Sequence, residues 1–165
     1  MVQLEHEKLN LWLLVVLSLY ARRAGAGMVL GTRSPVQISQ SGGRLADLFF
    51  LRREREHLIT QKATLGPPDL ILEIVSPNDR RADINATEAD YRTLGVGEIV
   101  YIDQPRLRIQ VLRKSETGYE EETLSGQPLT LRSLGRLTLQ WDWLFTEPRP
   151  DEMDTVLSLL AEGSA

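Results

Sequence analysis

Pro68-Asp69-Leu70-Ile71-Leu72-Glu73-Ile74-Val75-Ser76-Pro77 is an apolar run that carries two carboxylates. Its length, its β-branched content and the flanking Pro-Pro and Ser-Pro predict a buried strand. Alternation puts Asp69, Ile71, Glu73 and Val75 on one face, and Leu70, Leu72 and Ile74 on the other. Burying an unpaired carboxylate costs several kcal/mol, so a cation, a metal or a set of donors must face these acids. At roughly 3.3 Å per residue, Asp69 and Glu73 are about 13 Å apart and cannot share one ion. The partner of Glu73 must come from a neighbouring strand. Leu45-Ala46-Asp47-Leu48-Phe49-Phe50-Leu51, a second apolar run with one acid inside it, offers Asp47. Asp47 beside Glu73 would make a hard-oxygen site suited to Mg²⁺ or Mn²⁺.

The 165 residues are enough for one domain with a real core. Hydrophobic content of 42% and charged content of 25% are ordinary for a soluble globular chain. With no cysteine, disulfides, thiolate zinc sites and cysteine nucleophiles are excluded. His6 and His57 are the only histidines, too few for a histidine-rich metal cage. The net charge of −4 hides an uneven distribution. Arginines gather between Arg22 and Arg81, while acids gather at Glu120-Glu121-Glu122 and from Glu147 to Glu162. A basic half is compatible with phosphate binding; solvated faces and internal ion pairs explain it equally well.

Leu4 to Arg23 reads as a buried or interface helix, ended by Ala24-Gly25-Ala26-Gly27. It is not a secretory signal or a membrane span, because its start is acidic and its apolar stretch is short. His6 and Asn10 lie one turn apart, in line with Leu13 and Leu17, and point toward the site; a capping or surface role is the plainer reading of His6. Met28 to Gln40 predicts one or two short strands, and Ser41-Gly42-Gly43 a turn. Arg52 to Gly66 reads as a long polar excursion able to cover the site. Ser76-Pro77-Asn78-Asp79 is a helix-start signature, so a helix is expected from Pro77 or Asp79 to Leu94, stopped by Gly95. Its inward stripe is Ile84, Thr87, Tyr91 and Leu94. Glu98 to Asp103 is the next strand, and the order implies a right-handed crossover with parallel pairing. Arg106 to Arg113 alternates, Glu116-Thr117-Gly118 turns, and Trp141 to Phe145 forms an aromatic patch at the sheet's end. Pro148-Arg149-Pro150 separates a domain of residues 1–147 from an acidic helix or tail, 148–165.

Taken together, Leu45 to Phe50, Pro68 to Pro77 and Tyr91 to Asp103 resemble the Uma-type restriction-endonuclease-like proteins, a branch of the PD-(D/E)XK nuclease superfamily. The resemblance implies an α/β (α+β) fold, a restriction-endonuclease-like mixed central β-sheet flanked by helices. It implies a metal, Mg²⁺ or Mn²⁺, on Asp47 and Glu73, helped by the backbone carbonyl of Ile74. It also implies a lysine that positions and activates the attacking water. Here Val75 stands two residues after Glu73, and the relocated lysine position of this branch, four residues before Tyr91, is Thr87. Threonine supplies no cation; Arg80, Arg81 and Lys62 are the substitutes within the sequence's reach. Ala46-Asp47 also replaces the usual Pro-Asp. Asp69, Tyr91, His6 and Arg80 are supporting candidates, although Asp69 has a plainer reading as a cap or salt bridge and Tyr91 as a core residue.

The expected function is a metal-dependent nuclease acting on nucleic acid, with DNA the expected partner and a homodimer the expected assembly. The alternative is a catalytically inactive nuclease-fold dimer or DNA-binding module. With no signal, membrane span or cysteine, the cytoplasm is the default location.

Overall fold

The computed structural model describes residues 3–164, with Thr32 and Arg33 described by their backbone alone. A seven-stranded mixed sheet runs through its middle, in the order β3-β1-β2-β4-β5-β6-β7. The strands are β1 (Gly27–Gln37), β2 (Gly43–Arg52), β3 (Thr64–Leu65), β4 (Leu70–Val75), β5 (Glu98–Asp103), β6 (Arg108–Ser115) and β7 (Gly118–Leu124). A small antiparallel pair, β8 (Leu129–Leu131) and β9 (Leu137–Leu139), forms a second sheet. The helices are α1 (Leu4–Arg23), α2 (Arg81–Leu94), α3 (Trp141–Phe145) and α4 (Glu152–Gly163).

Side-chain alternation divides the core into two layers. Leu48, Phe50, Leu70, Leu72, Ile74 and Val100 pack with α1 on one face. Phe49, Leu51, Ile71, Val75 and Ile99 pack with Tyr91 of α2 on the other. The strand that the sequence singled out is therefore buried on both faces, as a central strand must be. Asp47 and Glu73 fall in the parity of the α2 face.

β4 and β5 are parallel and joined through α2, so the expected crossover is present. α2 ends where expected, at Gly95 with φ 88, a left-handed cap that glycine adopts without strain. Its start is corrected to Arg81. Ser76 N donates to Asp79 Oδ2 at 2.8 Å and Asp79 N donates to Ser76 O at 3.1 Å. Ser76-Pro77-Asn78-Asp79 thus closes a turn of its own, and the helix begins only after it. Met28 to Gln40, expected as one or two short strands, forms one longer strand, β1, with a register shift between Gly31 and Ser34.

The polar excursion after β2 contains a short 3₁₀ helix, Arg53–Leu58, and the two-residue strand β3, parallel to β1. The acidic C-terminal helix packs on α1: Val156 and Leu159 belong to the same apolar cluster as Leu9, Leu13 and Leu17. Trp12 Nε1 donates to Pro150 O at 2.9 Å, and Trp12 meets Trp143 edge-on with ring centres 6.1 Å apart.

Candidate functional site

The site arises where β2 and β4 stop pairing. The antiparallel register runs Phe50↔Leu70, Phe49↔Ile71, Leu48↔Leu72 and ends there. One step further along the same register, Asp47 stands opposite Glu73. Beyond the last paired residues the strands need other hydrogen-bond partners, and the two acids supply them. Asp47 N donates to Glu73 Oε2 at 3.2 Å, and Ile74 N donates to Asp47 Oδ2 at 2.9 Å. Each carboxylate thus replaces a missing ladder bond on the other strand, which sets the pair side by side at the fork.

Two further side chains hold the acids in place. Tyr91, on the inward face of α2, donates its hydroxyl to Glu73 Oε1 at 2.5 Å. His6, near the start of α1, places Nε2 3.3 Å from Asp47 Oδ2. Among the described residues no guanidinium reaches either acid: Arg44 pairs with Asp90 at 2.6 Å. Nor does Asp47 Oδ1 accept a hydrogen bond from any of them.

The electrostatics follow from this crowding. Burial, and then the charge of Asp47, push the Glu73 carboxyl up to about 8. The hydrogen bond to Asp47 outweighs burial at His6 and raises its imidazole to about 9. Burial and the nearby Glu73 charge raise the Tyr91 hydroxyl as well, so it stays a donor. A pair of acids with one pKa driven above neutrality holds either a proton or a cation between them.

A cavity of about 570 Å³ opens in front of the pair. Its lining brings together His6, Asp47, Glu73, Ile74, Thr87 and Tyr91, drawn from four separate elements. Arg80 also lines it, at the residue preceding α2. Asp69 does not. It sits at the opposite end of β4, where Arg55 Nη1 donates to Asp69 Oδ1 at 2.8 Å and Arg52 N donates to Oδ2 at 2.8 Å. The same Arg55 bonds Pro67 O, which ties the polar excursion to that far end. None of residues 53–66 lines the cavity, so the expectation that this segment covers the site is corrected. Thr87 faces the cavity, but its hydroxyl donates to Asp83 O at 2.9 Å, one helical turn back.

Tyr101 is a cavity residue that sequence reasoning passed over. It is 5% exposed, and its hydroxyl has no partner among the described residues. The signal was present, because in a parallel β4–β5 register Tyr101 stands directly beside Glu73. Asp79 and Asp83 line the cavity too; Asp79 entered the sequence reading only as part of the helix-start signature.

The donor set fits a hard cation in a particular way. No group of three or more His, Cys, Asp or Glu side chains among the described residues could hold a metal ion. Any ion here would rest on two carboxylates and complete its shell with backbone carbonyl and water. That is the habit of Mg²⁺, which keeps several waters and takes one or two carboxylates. The free lobe of Asp47 and the strained ionisation of Glu73 are both features that such an ion would satisfy.

No curated protein matches this chain. A solved crystal structure from Anabaena variabilis, described as a putative nuclease belonging to DUF820, is similar in fold. It superposes with a TM-score of 0.73 at 16% identity, covering 88% of this chain and 82% of that one. The family model described as "Uma2: Putative restriction endonuclease" matches residues 1–144. That span holds every strand, the helices α1 and α2 and the whole cavity lining. The chain belongs to the Uma2 restriction-endonuclease-like family.

Proposed function

We propose that this protein is a Mg²⁺- or Mn²⁺-dependent nuclease that hydrolyses phosphodiester bonds in DNA. The metal would rest on the Asp47 and Glu73 carboxylates, with the Ile74 carbonyl beside them. The observation that carries this reading is the pairing of the two acids at the β2–β4 fork, open to a cavity, with no guanidinium of the described residues bonded to either acid. When bound, the ion supplies a water of lowered pKa and screens the charge of the phosphate.

The chain's own residues do the rest. Tyr91 fixes one Glu73 oxygen and the Asp47 amide fixes the other. His6 and the Ile74 amide both bond Asp47 Oδ2 and would leave its second oxygen available to an ion. Thr87 occupies the lysine position, and its hydroxyl is committed to the helix backbone. This reading includes a homodimer and a cytoplasmic location; no helix among the described residues is long and apolar enough to cross a membrane.

A plasmid-nicking assay with Mg²⁺ or Mn²⁺ tests the reading, with Mn²⁺ titration of the same protein alongside. Glu73→Ala and Asp47→Ala are expected to lose both cleavage and metal binding. Equal cleavage by wild type and Glu73→Ala would refute the site. One observation favours a second reading, a nuclease fold that binds DNA without turnover: no cation stands at Thr87. Salt-sensitive DNA binding without cleavage under either metal would establish that alternative.

A further inference from the structure

Asp47, Glu73, Asp79 and Asp83 line the cavity wall, against the guanidinium groups of Arg44 and Arg80 and the imidazole of His6, which already faces Asp47 and Glu7. A phosphodiester entering such a wall is repelled unless cations face it. Arg44 is already neutralised by Asp90, with Nη2 2.6 Å and Nε 2.7 Å from Asp90 Oδ2. Arg80 makes no ion pair and no side-chain hydrogen bond with any described residue. The neighbouring Asp79 does not pair with it; its Oδ2 accepts from Ser76 N at 2.8 Å.

Arg80 is also well placed. Its carbonyl accepts from Asp83 N at 3.0 Å and Ile84 N at 3.1 Å, so its backbone is fixed at the start of α2 while its side chain stays free. No side chain caps α2, and the first amides of the helix add positive potential to the same wall. Thr87 lies seven positions after Arg80, so both lie on nearly the same stripe, about 10 Å apart along the axis. The other two substitutes drop out on position, since neither Arg81 nor Lys62 lines the cavity.

We propose that Arg80 supplies the cation missing at Thr87, donating from its guanidinium to a non-bridging oxygen of the DNA phosphate held in the cavity. The planar fork of arginine suits two such oxygens at once. This rests on the nuclease reading above for the chemistry, but the phosphate contact exists with or without turnover.

Two measurements separate the claims. Binding of a short DNA duplex to the full chain, in metal-free buffer across a salt series, tests Arg80. Arg80→Ala is expected to weaken binding at least about tenfold and to lower the slope of log affinity against log salt by about one. Arg80→Lys should recover part of the affinity, and Arg81→Ala and Lys62→Ala should change it by less than about twofold. Mn²⁺ titration of wild type and Asp47→Ala tests the metal site, and its failure would leave the duplex comparison standing. Where wild type cleaves, Arg80→Ala should slow cleavage at least about tenfold, and adding Thr87→Lys to it should restore the rate. Unaltered binding by Arg80→Ala, or no duplex binding by wild type, overturns the proposal. A melting curve confirms that each variant is folded, and Arg80→Gln, which keeps the stem and loses the charge, should behave as Arg80→Ala does.

Discussion

Glu73 shows how one residue links stability to the site. Its folded pKa of about 8 lies above the ordinary 4.5, so the folded state holds a proton that the unfolded chain releases. Stability is therefore lost as pH rises from about 4.5 through about 8. His6, raised from 6.5 to about 9, acts in the same direction: its contribution is complete below 6.5 and lost as pH rises through 9. The metal-free protein should melt at progressively lower temperature between about pH 5 and about pH 9. Glu73→Gln should flatten the lower part of that curve and His6→Gln the upper part. Saturating Mn²⁺ should raise the melting temperature most at high pH, because the cation then replaces the proton. A pH profile unchanged in Glu73→Gln would count against this account. Thr87 is the second residue of interest. It faces the cavity from a helix position that tolerates a long side chain, being only partly buried. Thr87→Lys should raise the rate of Mn²⁺-dependent plasmid cleavage by about tenfold or more, read under single-turnover conditions.

At the scale of elements, the two ends of β4 do different work. Glu73 serves the cavity at one end. At the other, Asp69 anchors the 3₁₀ segment through Arg55 and the Arg52 amide. The Asp69 side chain is 12% exposed, so removing it strands a partly buried guanidinium and a backbone donor. Asp69→Ala should cost about 1–3 kcal/mol in denaturant unfolding. Mn²⁺ affinity should stay within about twofold of wild type, because no cavity residue depends on this anchor. A large loss of metal affinity would place Asp69 back in the site. The late start of α2 matters for the same reason of position. The self-closed turn at Ser76–Asp79 carries Asp79 and Arg80 onto the cavity wall, where a helix starting at Pro77 would have rotated them.

For the whole molecule, the C-terminal helix ties the end of the chain to the site. The sequence reads residues 148–165 as an acidic helix or tail. The helix α4 forms there and packs along α1, burying Thr155, Val156 and Leu159. α1 in turn carries His6 to Asp47, so the tail supports one wall of the site through a single helix. Leu159→Ala, at a position 3% exposed, should destabilise the protein by about 2–5 kcal/mol in chemical denaturation. A loss below about 0.5 kcal/mol would mean that α4 does not belong to the cooperative unit.

Several features of this protein were legible in the chain alone, because they depend on period and local chemistry. Alternation in Leu70 to Val75 marked a strand buried on both faces and put Glu73 on one of them. The spacing of Ile84, Thr87, Tyr91 and Leu94 marked the inward stripe of α2, and Gly95 marked its end. The order strand, helix, strand implied the parallel β4–β5 pair. Other features depend on register and on contacts between residues distant in sequence, and only the tertiary structure decided them. That Asp47 falls opposite Glu73, one step past the last ladder pair, depends on how β2 and β4 align. That Asp69 meets Arg55 while Arg44 meets Asp90 depends on which side chains are brought together, and charge pairing carries no periodic signal. Tyr101 reaches the site, and α4 joins the core, for the same reason: burial is shared between elements, and no single element's sequence records its partner.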